Sequence, residues 1–334
     1  MKEKAKKILS NPLISGSVIV FAGTFVANFL SYLFNLFMGR FLSVSDYGIL
    51  VTLTSVLALL GIFPNSFTSV FAKFSAKYFA KEDEKSSMAL IIHGLKIIFI
   101  FSLGFFILLM ILSVFLSSFL KIEDMRLFLF LFLTLSVFIL YSLPAGVLQG
   151  RMRFYLLSFF NTISPILRII LGIGFVLLGF KVFGAVIGTF LAFLIQFIIG
   201  FAYIFRGFKR VDAQKINDKI FVKEFKDYSS KFLLASAGIT ILSNTDVILV
   251  RHFFDQVTSG HYAALSLMGK SIFYLTSPIY FVFFPLIAYK KEKNEKLTNT
   301  LLLAAGLITI VSVCLSFVYF LFPNIILKVF FPAN

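Results

Sequence analysis

Three charged residues of this sequence lie deep inside long apolar runs, where a charge needs a specific partner or a wet cavity. A charge at the centre of a bilayer costs about 2.5–3.5 kcal/mol on insertion scales. Arg168 has about a dozen uncharged residues on each side, between Tyr155 and Gly179, so its side chain cannot reach either membrane surface. We therefore predict that Arg168 faces a hydrated cavity or a carboxylate. Because a guanidinium holds phosphate through two parallel hydrogen bonds, Arg168 is the candidate contact for a phosphate-bearing substrate.

Asp246 and Lys270 are the other two charges, and they occupy matching positions in two successive apolar segments. The predicted outer turn runs from Asp255 to Gly260; Asp246 precedes it by nine residues and Lys270 follows it by ten. At about 1.5 Å per residue, both are expected about 13–15 Å deep. We predict either a structural ion pair or a pair that lines a translocation path and carries a coupling proton or cation. Asn244, close to Asp246, is predicted to line the same cavity.

Long uncharged runs carry these residues. Residues 8–39, 97–120, 127–150, 182–205 and 297–327 contain no Asp, Glu, Lys or Arg. About 20 apolar residues make a membrane-spanning helix, and only helices or closed barrels satisfy their backbone groups in lipid. The runs are too long for the strands of a barrel, which have about 10 residues. We predict an all-α polytopic membrane protein with about nine transmembrane helices, near residues 12–38, 48–70, 95–119, 127–149, 155–179, 183–205, 230–253, 262–289 and 298–322.

The basic residues predict the orientation of these helices. Of the 31 Lys and Arg, three lie within spans; 22 fall on the same side as the N-terminus and six on the other. Because cytoplasmic loops carry the excess of Lys and Arg, we predict a multi-pass protein of the cell membrane with a cytoplasmic N-terminus. The net charge of +16 follows from these loops, so membrane lipids are expected partners and nucleic acid is not.

A basic segment and a repeat organise the chain. Residues 206–230, RGFKRVDAQKINDKIFVKEFKDYSS, predict a cytoplasmic linker that is partly an amphipathic helix. The linker would separate a six-helix bundle, residues 1–205, from an incomplete second bundle of about three helices, residues 231–334. The segment from Arg40 to Val51 is echoed about 211 residues later by the segment from Arg251 to Leu265. Two parallel copies about a central axis favour an alternating-access transporter.

Two hairpins carry a family resemblance. NFLSYLFNLFMGRFLSVSDYGIL and LSNTDVILVRHFF…SGHYAALSLMGKSIFYLTSPIYFVFFP resemble polysaccharide biosynthesis proteins of the oligosaccharide-flippase type. These belong to the multidrug/oligosaccharidyl-lipid/polysaccharide exporter superfamily. The resemblance implies a lipid-linked sugar flippase with two bundles around a central cavity. Since such proteins usually have twelve or more helices, we expect a C-terminally truncated sequence.

The resulting prediction is a secondary transporter that flips a polyprenyl-linked oligosaccharide to the outer leaflet for cell-surface polysaccharide assembly. One alternative is a drug/cation antiporter of the same superfamily, with Asp246 as the coupling carboxylate. A second is a membrane-embedded enzyme of glycan assembly, for which Glu123 and Asp124 are the only acidic pair in an outer loop. A third is a fragment that does not transport.

Cofactors and metals are not expected. The sequence contains no G-x-x-x-x-G-K-[ST] phosphate loop, so this chain is not predicted to hydrolyse ATP. The three histidines are scattered, and Cys314 is the only cysteine. The expected partners are therefore the lipid-linked oligosaccharide, membrane lipids and glycan-assembly proteins.

Overall fold

All regular structure in the described part of the chain is helical. The computed structural model describes residues 12–207, 218–292 and 297–322. The helices, numbered here in chain order, are α1 Pro12–Phe41, α2 Val44–Leu60, α3 Ile62–Phe79, α4 Glu84–Leu120, α5 Met125–Gly150, α6 Phe154–Phe175, α7 Lys181–Gly207, α8 Asp218–Phe253, α9 Gln256–Glu292 and α10 Thr298–Leu321. A π-turn, Val176–Phe180, joins α6 to α7.

The number of membrane crossings agrees with the sequence. Seven helical stretches among the described residues are long and apolar enough to span a membrane, and one of them, Phe154–Arg206, contains both α6 and α7. Helix α9, which has 37 residues, is counted as one more span. Helices α2 and α3 together form one of these stretches, Val44–Phe79. The prediction of an all-α membrane protein with about nine transmembrane helices is confirmed.

A proline explains the break between α2 and α3. Pro64 has no backbone N–H, and its ring would clash with the carbonyl of Leu60 in a continuous helix. Gly61 lies at the break, where its N–H donates to Leu57 O at 2.8 Å and Ala58 O at 3.2 Å. The second predicted span is therefore two short helices in line.

The first bundle is held together by close crossings of its helices. Helix α3 packs on α5, α1 packs on α6, and α7 packs on both α5 and α6. At the α6–α7 crossing the two backbones come close together: a Cβ on Gly188 would lie 2.6 Å from the Cα of Gly172. Small residues at such a crossing let the two backbones approach, which is how transmembrane helices gain packing energy.

Helix α8 begins earlier than the sequence predicts. Residues 218–230, expected to belong to the linker, form the first turns of α8 and continue into the seventh span. Phe225 is buried and packs against Phe67 and Phe71 of α3, with ring centroids 5.3 and 5.4 Å apart. Ser66 also donates to the carbonyl of Ser229 at 2.9 Å. Residues 208–217 lie outside the described part of the chain, and the three-part division of the chain remains a prediction.

Helices α9 and α10 complete the described fold. Helix α9 packs along α1 and α2 of the first bundle, and α10 packs against α9. Helix α9 therefore carries contacts between the two halves over much of its length.

Candidate functional site

Arg168 is held at the α6–α7 crossing by two neutral partners. It lies one turn before Gly172, and its Nε donates to Thr189 Oγ1 of α7 at 3.2 Å. Its guanidinium carbon lies 3.9 Å from the ring centroid of Phe34 on α1. A guanidinium over an aromatic face is attracted by the negative charge density of the ring. These contacts fix the plane of the guanidinium without neutralising its charge.

One guanidinium nitrogen of Arg168 has no hydrogen-bond partner. Its Nη2 is buried and unpaired among the described residues. No carboxylate within the described ranges forms an ion pair with Arg168. A buried donor of this kind normally has a partner, whether protein, water or ligand. Of the two predicted surroundings of Arg168, a hydrated cavity or a carboxylate, these contacts favour the hydrated cavity.

A cavity of about 250 Å³ lies between α1, α9 and α10. Four of its lining side chains carry a hydroxyl group: Tyr32 of α1, Ser271 and Tyr274 of α9, and Tyr319 of α10. Among the described residues, none that lines the cavity carries a charge. The four residues predicted as the site, Arg168, Asp246, Lys270 and Asn244, are therefore not among its lining residues.

The expected ion pair between Asp246 and Lys270 is not formed. The Oδ2 atom of Asp246 accepts from Tyr262 Oη at 3.1 Å and from Ser266 Oγ at 3.3 Å. Lys270 Nζ donates instead to Asn244 Oδ1 at 3.4 Å. The structure thus brings Asn244 and Lys270 together and gives Asp246 two hydroxyl partners on α9.

The length of the turn explains this difference. Helix α8 ends at Phe253 and α9 begins at Gln256, so the turn is shorter than the sequence predicts. Asp246 is seven residues from its helix end, whereas Lys270 is fourteen residues into α9. At about 1.5 Å per residue, Lys270 lies roughly 10 Å deeper than Asp246. Asp246 Oδ1 is buried without a hydrogen-bond partner among the described residues.

Arg251 has a structural role that sequence reasoning missed. It is 1% exposed, at the end of α8. Its Nε and Nη2 donate to the carbonyls of Leu120 and Lys121, both at 2.9 Å, and its Nη1 donates to Ser259 Oγ at 3.1 Å. The positive charge caps the C-terminus of α4, where the helix dipole is negative. The sequence signal for this role was the place of Arg251 at the end of a span, where it matches Arg40 in the repeat. We call the contact of Arg251 with the end of α4 the Arg251 cap.

The two repeat segments meet each other at their glycines. A Cβ on Gly48 of α2 would lie 2.9 Å from the Cα of Gly260 on α9. A Cβ on Gly260 would lie 2.1 Å from the carbonyl oxygen of Val44. Ser45 Oγ also donates to Gln256 Oε1 at 2.8 Å, across the same contact. We call this contact the glycine seam; it joins the two halves at the predicted outer ends of α2 and α9.

One protein family matches most of the chain. The family model described as "Polysaccharide biosynthesis protein" matches residues 13–291. No curated protein shows significant sequence similarity to the chain.

Solved structures with the same fold are transporters. An inward-facing multidrug resistance MATE transporter of the MOP superfamily is 14% identical, with a TM-score of 0.72 over 94% of this chain and 75% of that one. The MATE multidrug transporter DinF-BH is 16% identical, with a TM-score of 0.64 over 98% and 76%. A MOP superfamily transporter from Pyrococcus furiosus Vc1, described by the reverse polarity of its binding pocket, is 13% identical, with a TM-score of 0.52 over 85% and 72%.

Proposed function

Because the chain belongs to the polysaccharide biosynthesis protein family, we propose that it is a flippase that moves a polyprenyl-linked oligosaccharide across the cell membrane by alternating access. The resemblance seen in the two hairpins is thereby confirmed at the level of the family. The observation that carries the proposal is the buried Nη2 of Arg168, which has no hydrogen-bond partner, and no carboxylate pairs with this arginine within the described ranges. In this family, the substrate would be a lipid-linked glycan for cell-surface polysaccharide assembly.

The geometry of Arg168 suits a phosphate group. Phosphate oxygens only accept hydrogen bonds, and a guanidinium only donates them. Thr189 occupies Nε and the ring of Phe34 covers one face, so Nη2 remains for a substrate. A cation would be repelled by the guanidinium, and a neutral drug could accept a hydrogen bond from Nη2 but would lack the attraction between opposite charges. The polarity of the site therefore supports a phosphate-bearing substrate.

Access to the cavity from one side at a time follows from the glycine seam and the Arg251 cap. Both contacts close the space between the halves at the predicted outer ends of the helices. In the state that the structure describes, the head group would enter from the predicted cytoplasmic side. Release on the other side requires the glycine seam to open. In a background where the exposed Cys314 is replaced by Ser, labelling of Lys81→Cys by an impermeant thiol reagent added outside intact cells would overturn this predicted orientation.

An antiporter is the second candidate, and Asp246 is the observation that favours it. Its Oδ1 is buried without a partner in the described part of the chain, so a proton or cation could bind there. Multidrug transporters also share the fold. This candidate predicts efflux of a cationic drug that depends on Asp246 and is insensitive to Arg168.

The contacts of Asp124 argue against the third candidate, a glycan-assembly enzyme that would use Glu123 and Asp124. Asp124 is the N-cap of α5 and accepts from the N–H of Arg126 at 3.0 Å. Its carboxylate also pairs with the guanidinium of Arg126 at 2.9 Å, which holds the pKa of Asp124 below its usual range. A carboxylate used as a cap and a salt-bridge partner is poorly placed to act as a general acid.

Substitution of Arg168 tests the proposed function. Arg168→Ala should reduce flipping of a fluorescent polyprenyl diphosphate-linked oligosaccharide in proteoliposomes by roughly 100-fold, because a charge-assisted hydrogen bond from a buried guanidinium to the phosphate is lost. Arg168→Lys keeps the charge but loses the planar fork, so it should recover only part of the rate. Arg126→Ala, at an exposed arginine, is the matched control and should flip normally. Full transport by Arg168→Ala at equal membrane abundance would show that Arg168 does not bind the phosphate of the substrate.

A further inference from the structure

Helix α6 contains a proline three residues before Arg168. Pro165 lies inside this helix, which covers Phe154–Phe175. Because Pro165 has no backbone N–H, the carbonyl of Asn161 loses its usual hydrogen bond, and a helix bends most easily at such a turn. Arg168 lies on one side of this bend, and the beginning of α6 lies on the other. The position of the guanidinium in the bundle therefore depends on the angle of the bend.

Two neighbouring helices hold α6 in the turn before Pro165. Gln196 of α7 is 4% exposed, and its Nε2 donates to the carbonyl of Phe160 at 3.0 Å. Tyr141 of α5 is 3% exposed, and its Oη donates to Asn161 Oδ1 at 3.2 Å. In membranes, side chains of neighbouring helices stabilise a helix where a proline has removed a backbone hydrogen bond. Both contacts reach α6 four and five residues before Pro165.

The same face of α7 also holds α6 after Pro165. Thr189 precedes Gln196 by seven residues, which places both side chains on one face of α7, two turns apart. Thr189 accepts from Nε of Arg168 at 3.2 Å. Phe160 and Arg168 are eight residues apart on α6, so the two contacts are separated by about 10–12 Å along both helices. Helix α7 thus holds α6 on both sides of the bend and sets its angle.

The amide of Gln196 is only half satisfied. Its Oε1 is buried and has no hydrogen-bond partner among the described residues. A buried acceptor without a donor costs stability, and an apolar side chain of similar size would avoid that cost. Packing of the bundle alone therefore does not account for a glutamine at this position, whereas a directed contact with the backbone of α6 does.

We propose that Gln196 is a positioning residue for transport: its hydrogen bond to Phe160 fixes the bend of α6 and thereby holds Nη2 of Arg168 where the phosphate of the substrate binds. This inference rests on the proposed function, in which Arg168 binds that phosphate. Gln196 itself does not touch the substrate. A change at Gln196 should therefore weaken recognition of the phosphate and leave the folded state about as stable as before.

Two ligands that differ only in their phosphates test the role of Gln196. Farnesyl diphosphate and farnesol share one apolar chain, so the ratio of their Kd values in nanodiscs measures the preference for phosphate. Gln196→Met keeps the length of the side chain but cannot donate, and it should reduce this preference at least about 10-fold, because a charge-assisted hydrogen bond depends on its geometry. The Tm in detergent should change little, since the lost hydrogen bond is offset by removal of an unpaired acceptor. Gln196→Leu repeats the test if Gln196→Met does not fold.

Thr162→Val is the matched control on α6. Thr162 lies three residues before Pro165, and its hydroxyl donates to Ser158 O of the same helix at 2.8 Å. This variant should keep the preference of the unaltered chain for phosphate. In an Arg168→Ala background, Gln196→Met should cause no further loss, because Gln196 acts through the guanidinium. A further loss in that background, or a fall in Tm as large as that of a misfolded variant, would make Gln196 a structural residue and overturn the inference.

The outcomes separate this inference from the proposed function. If Arg168→Ala lowers the preference for phosphate and Gln196→Met does not, the phosphate role of Arg168 stands and the positioning role of Gln196 is wrong. If both variants lower it but the unaltered chain flips no lipid-linked oligosaccharide, the positioning role stands and the flippase is wrong. If the unaltered chain binds farnesol as tightly as farnesyl diphosphate, Arg168 does not bind phosphate, and the positioning role fails with it.

Discussion

Helix α9 meets the first bundle in two ways, tightly at the glycine seam and loosely at the cavity. At its beginning, Gly260 contacts Gly48 and Val44 of α2 through backbone atoms. Four turns later, Tyr274 faces α1 across a cavity of about 250 Å³. The same helix therefore meets its neighbours through backbone atoms at one end and shares a cavity with them further along.

The size of the side chains accounts for this difference. Glycine lets two helix backbones meet, whereas the tyrosines and phenylalanines around the cavity hold the helices apart. A rigid helix that touches its neighbour at one end and is separated from it further along can rotate about the contact or separate at it. We expect transport to alternate between two states. In one the glycine seam is open, and in the other it is closed and the substrate occupies the cavity.

The strongest test of the glycine seam is a methyl group at Gly260. Gly260→Ala would place a Cβ 2.1 Å from the carbonyl oxygen of Val44, so the helices must move apart. Overpacking of this kind costs about 1–3 kcal/mol, and the outer end of the site should no longer close. We expect a fall of at least about 10-fold in the rate of flipping, measured in proteoliposomes at equal protein density.

Gly269→Ala is the control for this change because it lies on the same helix with no atom within 4 Å of its new Cβ. Alanine is also the better helix former, so this variant should fold well and transport normally. Equal loss in the two variants would mean that α9 needs flexible glycines and not a close contact.

A smaller effect on transport, but a clear effect on stability, is expected at the Arg251 cap. Arg251→Ala removes three hydrogen bonds and leaves the carbonyls of Leu120 and Lys121 without their donor. We expect a loss of about 3 kcal/mol in stability, seen as a lower Tm in detergent. Arg126→Ala removes an exposed pair and should leave Tm nearly unchanged. The same Tm for both variants would show that the Arg251 cap does not stabilise the junction of α4 and α8.

The smallest expected effect is the coupling between Asp246 and Lys270. Each has its own neutral partners, so Asp246→Asn and Lys270→Met should be nearly additive in a double-mutant cycle on Tm. We expect an interaction energy below about 1 kcal/mol, since the charges act only across a gap. A larger interaction energy would mean that the two side chains form an ion pair in another state of the transport cycle, in which the glycine seam is open.

Much of the fold was predictable, and less of the site. The uncharged runs predicted the spans, and two hairpins predicted the family, because both signals are local in the sequence. The role of Arg168 in a site remains a prediction, and its neutral partners Thr189 and Phe34 come from two other helices. Neither partner could be assigned from the sequence, because which residues of α1 and α7 face Arg168 depends on how these helices are rotated.

The sequence by itself determined that the chain crosses the membrane about nine times as helices, because length and hydrophobicity alone decide whether a segment enters lipid. Only the tertiary structure decided what each buried charge contacts. Asp246 and Lys270 were expected at equal depth, but α9 begins at Gln256, which places Lys270 about one turn further into its helix than the sequence implied. Arg251 became a cap because the end of α4, 130 residues earlier, lies beside it. Depth is a property of one helix, whereas contact depends on the rotation and the ends of several.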